Sequence, residues 1–461
     1  MNVILGFILL LLIGFAGSRI TLLQKSFSLG FQYLILGNLE FLFVGLILGP
    51  SLFNIITENA LRDLTPVLSL GLGWMGLIIG LQFNRFVLRQ VPLQVWLMGA
   101  SISTGTFLTL FTVFYFFCTW YFREQFSRIS PRNTFLALAG FSFLIGWVGT
   151  VSSYSALAVL QRNVTAKGAL TRLIQIIAEV RASLAIILMG CWYALMHVTH
   201  IWDRVTDEMP PEAVQTFQFY EIPLSLSAEV TPVMPGFLWL GVTVLLGVTL
   251  GWMLHYLISE RLSEQELLLI ASGTVILSAG LASYLHLSPL FVNFILGITL
   301  ANLPSFTRTR VTSLLLSTEH PFFVVFLIMV GANWQPISST LLTLAGIYLL
   351  CRLAGLYIGV CIGGRLCFSR EKRPPADLAL TMLPQSGVAI ALVIDYMRIH
   401  PGAFADLALG IVILAILIQQ FIGPTLMVRV LKKHGELNPQ RKNGNEKSRS
   451  LRDTTMTRKE A

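Results

Sequence analysis

Charge is scarce in this sequence: 12% of its 461 residues are Asp, Glu, Lys or Arg, against 55% hydrophobic. An ordinary soluble domain carries about twice that charged share. A soluble core could absorb some of the apolar content but does not explain its arrangement in blocks of about 15 to 30 residues, long enough to cross a bilayer as helices. Metal-ligand spacing is missing too. Cys118, Cys191, Cys351, Cys361 and Cys367 lie in or beside apolar blocks and read as small buried hydrophobes. No Gly-rich loop followed by Lys is present to cradle a phosphate, which argues against an ATP-driven machine and leaves no cofactor implied. The basic residues past Lys432 belong to a polar tail suited to anionic lipid rather than nucleic acid. Ahead of the first apolar block stand only Met1 and Asn2, so the positive start of a signal peptide is lacking. Arg19 and Lys25 follow that block instead, which favours a retained first helix.

What is present is a succession of spans. A chain in lipid must satisfy its backbone internally, and these blocks are too long for barrel strands, so the expected class is an all-α polytopic membrane protein. About thirteen helices are predicted, over 2–18, 31–49, 65–83, 92–118, 133–160, 168–195, 235–257, 264–282, 287–303, 312–331, 337–362, 376–396 and 403–430. Lys and Arg concentrate in alternate short loops, with Arg123–Arg132 as the exception. That asymmetry places the N-terminus outside and the C-terminus in the cytoplasm. Residues 197–235 form a long outer loop, and 431–461 read as a disordered cytoplasmic tail. Compact loops without an organellar targeting pattern point to a bacterial inner membrane.

Glycines suggest an internal repeat. Gly45 and Gly80 end two successive predicted helices, 35 residues apart (45 to 80), and Gly297 and Gly331 end another pair, 34 apart (297 to 331). The two pairs are offset by an odd number of helices, so the units would be inverted. The same offset relates 133–160, with Gly146-Trp147-Val148-Gly149-Thr150-Val151-Ser152-Ser153, to 376–396, with Met382-Leu383-Pro384-Gln385-Ser386-Gly387. Both are apolar blocks interrupted near the middle. They read either as two crossing discontinuous helices, whose freed backbone groups face an ion, or as a Pro kink with back-bonded serines.

Charges at membrane depth are costly enough to require a cavity, a partner or a changed protonation state. Glu179 lies mid-way along 168–195, Arg181 two residues later on another side of the helix, and Arg352 deep within 337–362. Glu40 and Asp395 are further acids within or at the end of spans, and Arg172 can snorkel to the interface. Glu179 is either a carboxylate shared between a proton and a cation or half of a permanent ion pair with an arginine. Arginine stays charged, so Arg352 and Arg181 are candidate counter-charges rather than proton carriers.

The chain from about Leu34 to Val430 resembles the monovalent cation:proton antiporter superfamily, in particular bacterial sodium/proton and potassium/proton exchangers. The resemblance is carried by Gly45–Pro50, by Leu290, Phe291, Phe294 and Gly297, by Phe322–Gly331, by Leu383–Ala389 and by Thr150–Leu157. It implies a homodimer of 1–430 with a core near 92–195 and 312–430 and a scaffold near 31–83 and 235–303, working by alternating access. It also implies exchange of Na⁺ or K⁺ for H⁺ with Glu179 as the ion site and Ser152, Ser153, Gln385 and Ser386 at the crossover. Arg352 matches the family's basic residue. Ala178 stands where the family usually has Asn, Asp or Gln, and Arg181 is less familiar there. A non-transporting protein with a locked Glu179–arginine pair, or a passive ion channel, are the alternatives.

Overall fold

Helices satisfy their own backbone, and a sequence this apolar uses almost nothing else. The computed structural model describes residues 39–121, 131–153, 165–166, 168–196, 236–258, 262–303, 308–334, 338–400 and 402–438. Along the chain run α1 (Glu40–Leu48), α2 (Glu58–Asp63), α3 (Thr65–Leu81), α4 (Arg85–Gln90), α5 (Leu93–Tyr121), α6 (Pro131–Thr150) and α7 (Ala169–Met196). They are followed by α8 (Gly236–Leu257), α9 (Glu264–Tyr284), α10 (Pro289–Asn302), α11 (Arg308–Ala332) and α12 (Ser339–Cys367). The last helices are α13 (Leu378–Thr381), α14 (Gly387–Ile399) and α15 (Ala403–Lys433). Starts are marked by side-chain caps: Ser263 and Glu266 form a capping box on α9, Ser288 caps α10 and Ser338 caps α12.

Among the described residues, six helices (α5, α7, α8, α9, α12 and α15) are long and apolar enough to cross a membrane, so the chain has an all-α, multi-span membrane fold. Their burial separates centre from edge. The apolar window of α15 is 67% buried and that of α8 only 28%, so α15 lies inside the bundle while α8 turns most of its surface outward. Trp252, Tyr256 and Leu245 are among the exposed side chains of α8, as a lipid-facing helix requires.

Glycines set the closest approaches. Gly76 and Gly80 of α3 meet the backbone of α10 at Leu290, Phe294 and Gly297, and Gly45 of α1 meets α11 at Ile328 and Ala332, with Gly331 against Leu42 in return. Gly355 and Gly359 let α12 lie on α5. A Cβ there would stand 2.6 Å from the Thr106 Cα and 2.5 Å from the Ile102 Cα respectively. Small residues with this role are how membrane helices associate when both partners and lipid are equally apolar.

Both blocks expected to be interrupted leave the helical conformation near the middle, and the tail departs from its expectation. The predicted helix 133–160 stops at Thr150, and 151–153 is non-helical. The predicted helix 376–396 is split into α13 and α14 by non-helical residues 382–386, because Pro384 lacks an N–H and forces its predecessor out of the helical region. The tail expected from 431 is ordered further. α15 continues to Lys433, and Leu437–Asn438 pairs antiparallel with Thr165–Ala166, Thr165 opposite Asn438. The short helices α2 and α4 were not anticipated. The predicted helix 2–18, the first part of 31–49, the loop 197–235 and the tail beyond 438 lie outside the described residues.

Gly359→Val should force its side chain into the α5 backbone and lower stability by about 1–3 kcal/mol, read as a lower melting midpoint in detergent. Gly273→Ala, on a face of α9 where an added Cβ meets nothing within 4 Å, should leave that midpoint unchanged or slightly raised.

Candidate functional site

The two interruptions meet. Ser153 N donates to Pro384 O at 2.7 Å, and Ser152 Oγ donates to Met382 O at 2.7 Å, so the stretch after α6 runs beside the stretch between α13 and α14. α6 and α13 both end here, and each ends in carbonyls that no further turn of helix can satisfy.

Arg352 supplies the missing donors. Its Nε donates to Gly149 O at 2.9 Å, and its Nη2 to Val151 O at 2.8 Å and Met382 O at 3.2 Å. Its Nη1 donates to Leu383 O and, at 3.0 Å, to Gln419 Oε1. One guanidinium with no solvent exposure therefore closes the ends of both broken segments, at the negative ends of two helix dipoles. Gln385 adds a second tie, its Nε2 donating to Val148 O at 3.1 Å and to the Tyr348 hydroxyl at 2.8 Å. Among the sequence-predicted site residues, Ser152, Ser153, Gln385 and Arg352 are thus brought together. Ser386 borders the same break, its Oγ buried and without a hydrogen-bond partner.

α7 presents its charges on different sides, as a separation of two residues demands. Arg181, wholly buried, points to the crossover and donates through Nη1 to Ser152 Oγ at 2.6 Å. Glu179 is half-buried, and its Oε1 accepts from Gln175 Nε2 at 3.2 Å. Among the described residues neither Arg181 nor Arg352 forms an ion pair, and the pair that does form joins Lys433 and Asp377. The locked Glu179–arginine pair considered from the sequence is therefore not made, because Arg352 is committed to backbone carbonyls and Arg181 to Ser152. Ala178 is buried and offers no oxygen.

The start of α7 is held from the far end of the chain. Glu436 accepts from Leu170 N and Thr171 N, both at 2.7 Å, and from Thr171 Oγ1 at 2.6 Å. Gly168 permits the approach, since a Cβ there would collide with the Glu436 carboxylate. The negative side chain at a helix N-terminus is favourably placed.

Tyr348 and Gln419 were missed by sequence reasoning. The pair Gln419-Gln420 inside the apolar block 403–430 was a visible signal, since an amide at that depth needs a partner. Tyr348 gave none, being one aromatic among many. Of the other acids, Asp395 accepts from Ser288 Oγ at 2.5 Å and ties α14 to the start of α10, away from the crossover. Glu40 opens the described part of α1. No group of three His, Cys, Asp or Glu side chains able to hold a metal occurs among the described residues.

Arg352→Gln should remove donors from carbonyls of both breaks and destabilise the protein by at least about 3 kcal/mol. Arg172→Gln, on an exposed position of α7, should leave the melting midpoint within about 0.5 kcal/mol of wild type.

No protein-family model and no curated protein matches this sequence. Solved structures do. The chain is similar to the sodium proton antiporter MjNhaP1 from Methanocaldococcus jannaschii, at 15% identity and a TM-score of 0.57 over 94% of this chain and 99% of that one. An electron-microscopy map of the same antiporter aligns at 16% identity and a TM-score of 0.56, over 95% and 100% of the two chains. At such identities the likeness is one of fold: over nearly its whole length, this chain is folded as a sodium proton antiporter is.

Proposed function

We propose that this chain is a secondary transporter of the cation:proton antiporter superfamily rather than an enzyme, exchanging Na⁺ or K⁺ for H⁺ by alternating access with Glu179 as the shared site. The observation that carries this reading is a half-buried carboxylate with no ion-pair partner among the described residues, on the helix whose Arg181 reaches the crossover. A free carboxylate on that helix can be neutralised by either a proton or a metal cation, and each excludes the other. Ser152, Ser153, Gln385 and Ser386 surround the path of the substrate cation, and Arg352 keeps the two breaks open by occupying their carbonyls.

An inverted repeat with two crossing discontinuous helices supports alternating access. If the unit containing α1 and α3 corresponds to that containing α10 and α11, a two-fold relation turns the α3–α10 contact into α11–α1. Both contacts occur, and both are made through glycine. α5 and α12 would be each other's counterparts, and they pack on one another through Gly105, Gly355 and Gly359. The moving core would comprise residues near 92–195 and 312–430, and the scaffold those near 31–83 and 235–303, the latter forming a homodimer in lipid. With one acid at the site, exchange is one for one, in a bacterial inner membrane with the C-terminus cytoplasmic.

Purified protein in liposomes with an imposed pH gradient should dissipate it on addition of Na⁺, K⁺ or Li⁺, and the responding ion defines selectivity. Glu179→Gln should abolish the response, and Glu179→Asp should retain part of it. Full activity in Glu179→Gln, or cation conductance that persists without proton movement, would overturn the proposal.

A further inference from the structure

The polar atoms left over at the crossover are mostly donors. Arg352 spends Nε, Nη1 and Nη2 on neutral oxygens, whereas Arg181 uses only Nη1. Its Nε and Nη2 are buried without a hydrogen-bond partner. These two atoms form the edge of a guanidinium that grips an anion with parallel N–H bonds. Gln419 Nε2 is likewise buried and unpartnered, and its orientation is fixed because Oε1 accepts from Arg352. The unpartnered acceptor at the crossover is Gln385 Oε1, and Ser386 Oγ can act either way. The surplus of donors lies at Arg181, on another side of α7 from Glu179, where the substrate cation is proposed to bind.

Charge points the same way. Ser152 Oγ receives Arg181 Nη1 at 2.6 Å and Arg352 Nη2 at 3.4 Å, so two guanidiniums converge on one hydroxyl. All their hydrogen-bond partners are uncharged. The nearby carboxylate cannot compensate from where it stands, because Glu179 lies two residues from Arg181 on another side of α7 and is engaged by Gln175. Asp395 is held by Ser288, and Asp377 pairs with Lys433. Two buried like charges with no counter-charge among the described residues are strongly unfavourable in this environment.

We propose that Arg181, with Arg352 behind it and Ser152 between them, binds a small monovalent anion of halide size. Such an ion carries one charge in a small volume, which suits the wholly buried Nε–Nη2 edge of Arg181, the donors that remain there now that those of Arg352 are spent on oxygens. Bound there, it would offset the arginine surplus beside the crossover while leaving Glu179 free. This inference does not depend on the exchange of cations for protons.

The test is thermal unfolding of the purified full chain in detergent, titrated with sodium chloride against sodium gluconate at constant sodium concentration and ionic strength. Gluconate, a monovalent anion far larger than a halide, is the control that a halide-sized site rejects. The melting midpoint should rise with chloride and saturate, and bromide should do the same. Arg181→Gln should abolish the chloride-specific rise. Arg181→Lys, which keeps the charge but loses the two-pronged edge, should move the titration to at least tenfold higher chloride and carries the location if Arg181→Gln does not fold. Equal midpoints in chloride and gluconate for wild type would overturn the proposal. A chloride titration unchanged in whichever variant folds would overturn it as well. No gradient or flux enters the measurement, so its failure leaves the exchange reading standing, and loss of flux leaves this one standing.

Discussion

Everything at the centre of this bundle depends on how the Arg352 guanidinium meets the ends of two interrupted helices. A helix that stops inside lipid leaves carbonyls without partners, and no water is at hand to take them. Arg352 gathers carbonyls from Gly149, Val151, Met382 and Leu383 into one fan of donors. The planar, permanently charged fork can serve several acceptors at once, which a lysine ammonium cannot do with the same geometry. Remove it, and neither break is stable at this depth.

The frame around that fan is built by close backbone approach rather than by polar contacts. α5, which lies against α6, is drawn onto α12 by glycines, so the residue supplying the guanidinium and the carbonyls receiving it come from elements whose spacing has little freedom. The pairs α1–α11 and α3–α10 repeat the device elsewhere. Sub-ångström changes at such contacts cannot be absorbed by side-chain adjustment, so the spacing of each pair is set by backbone against backbone.

Between the frame and the crossover, α7 has two attachments of opposite character. At its start, Glu436 joins it to the turn that follows α15 and places negative charge on its N-terminal amides. At mid-membrane, Arg181 joins it to Ser152. Glu179 lies between these anchors and is fixed by neither, its carboxylate meeting only a neighbouring glutamine on the same helix. The exchange proposed for Glu179 needs such a position, because a strong permanent partner would prevent release of either proton or cation.

The residue order alone determined the membrane class, most helix boundaries among the described residues, and the places where helices are interrupted. Those properties follow from local chemistry: the length of apolar blocks, the N–H that Pro384 lacks, the cost of Glu179 and Arg352 in lipid. It also marked Ser152 and Gln385 as residues of the interruptions, because hydroxyl and amide groups in apolar blocks must be satisfied by something. It could not say by what. That Arg352 turns to carbonyls rather than to Glu179, that Arg181 takes the inward face of α7, and that Tyr348 and Gln419 complete the site were decided by tertiary structure. Each is a choice among partners far apart in the chain, and only the packing of α12 and α15 against the two breaks brings those partners within hydrogen-bond reach. The order of Glu436 after α15 belongs to the same class, since its acceptors' donors lie at the start of α7, more than 260 residues earlier.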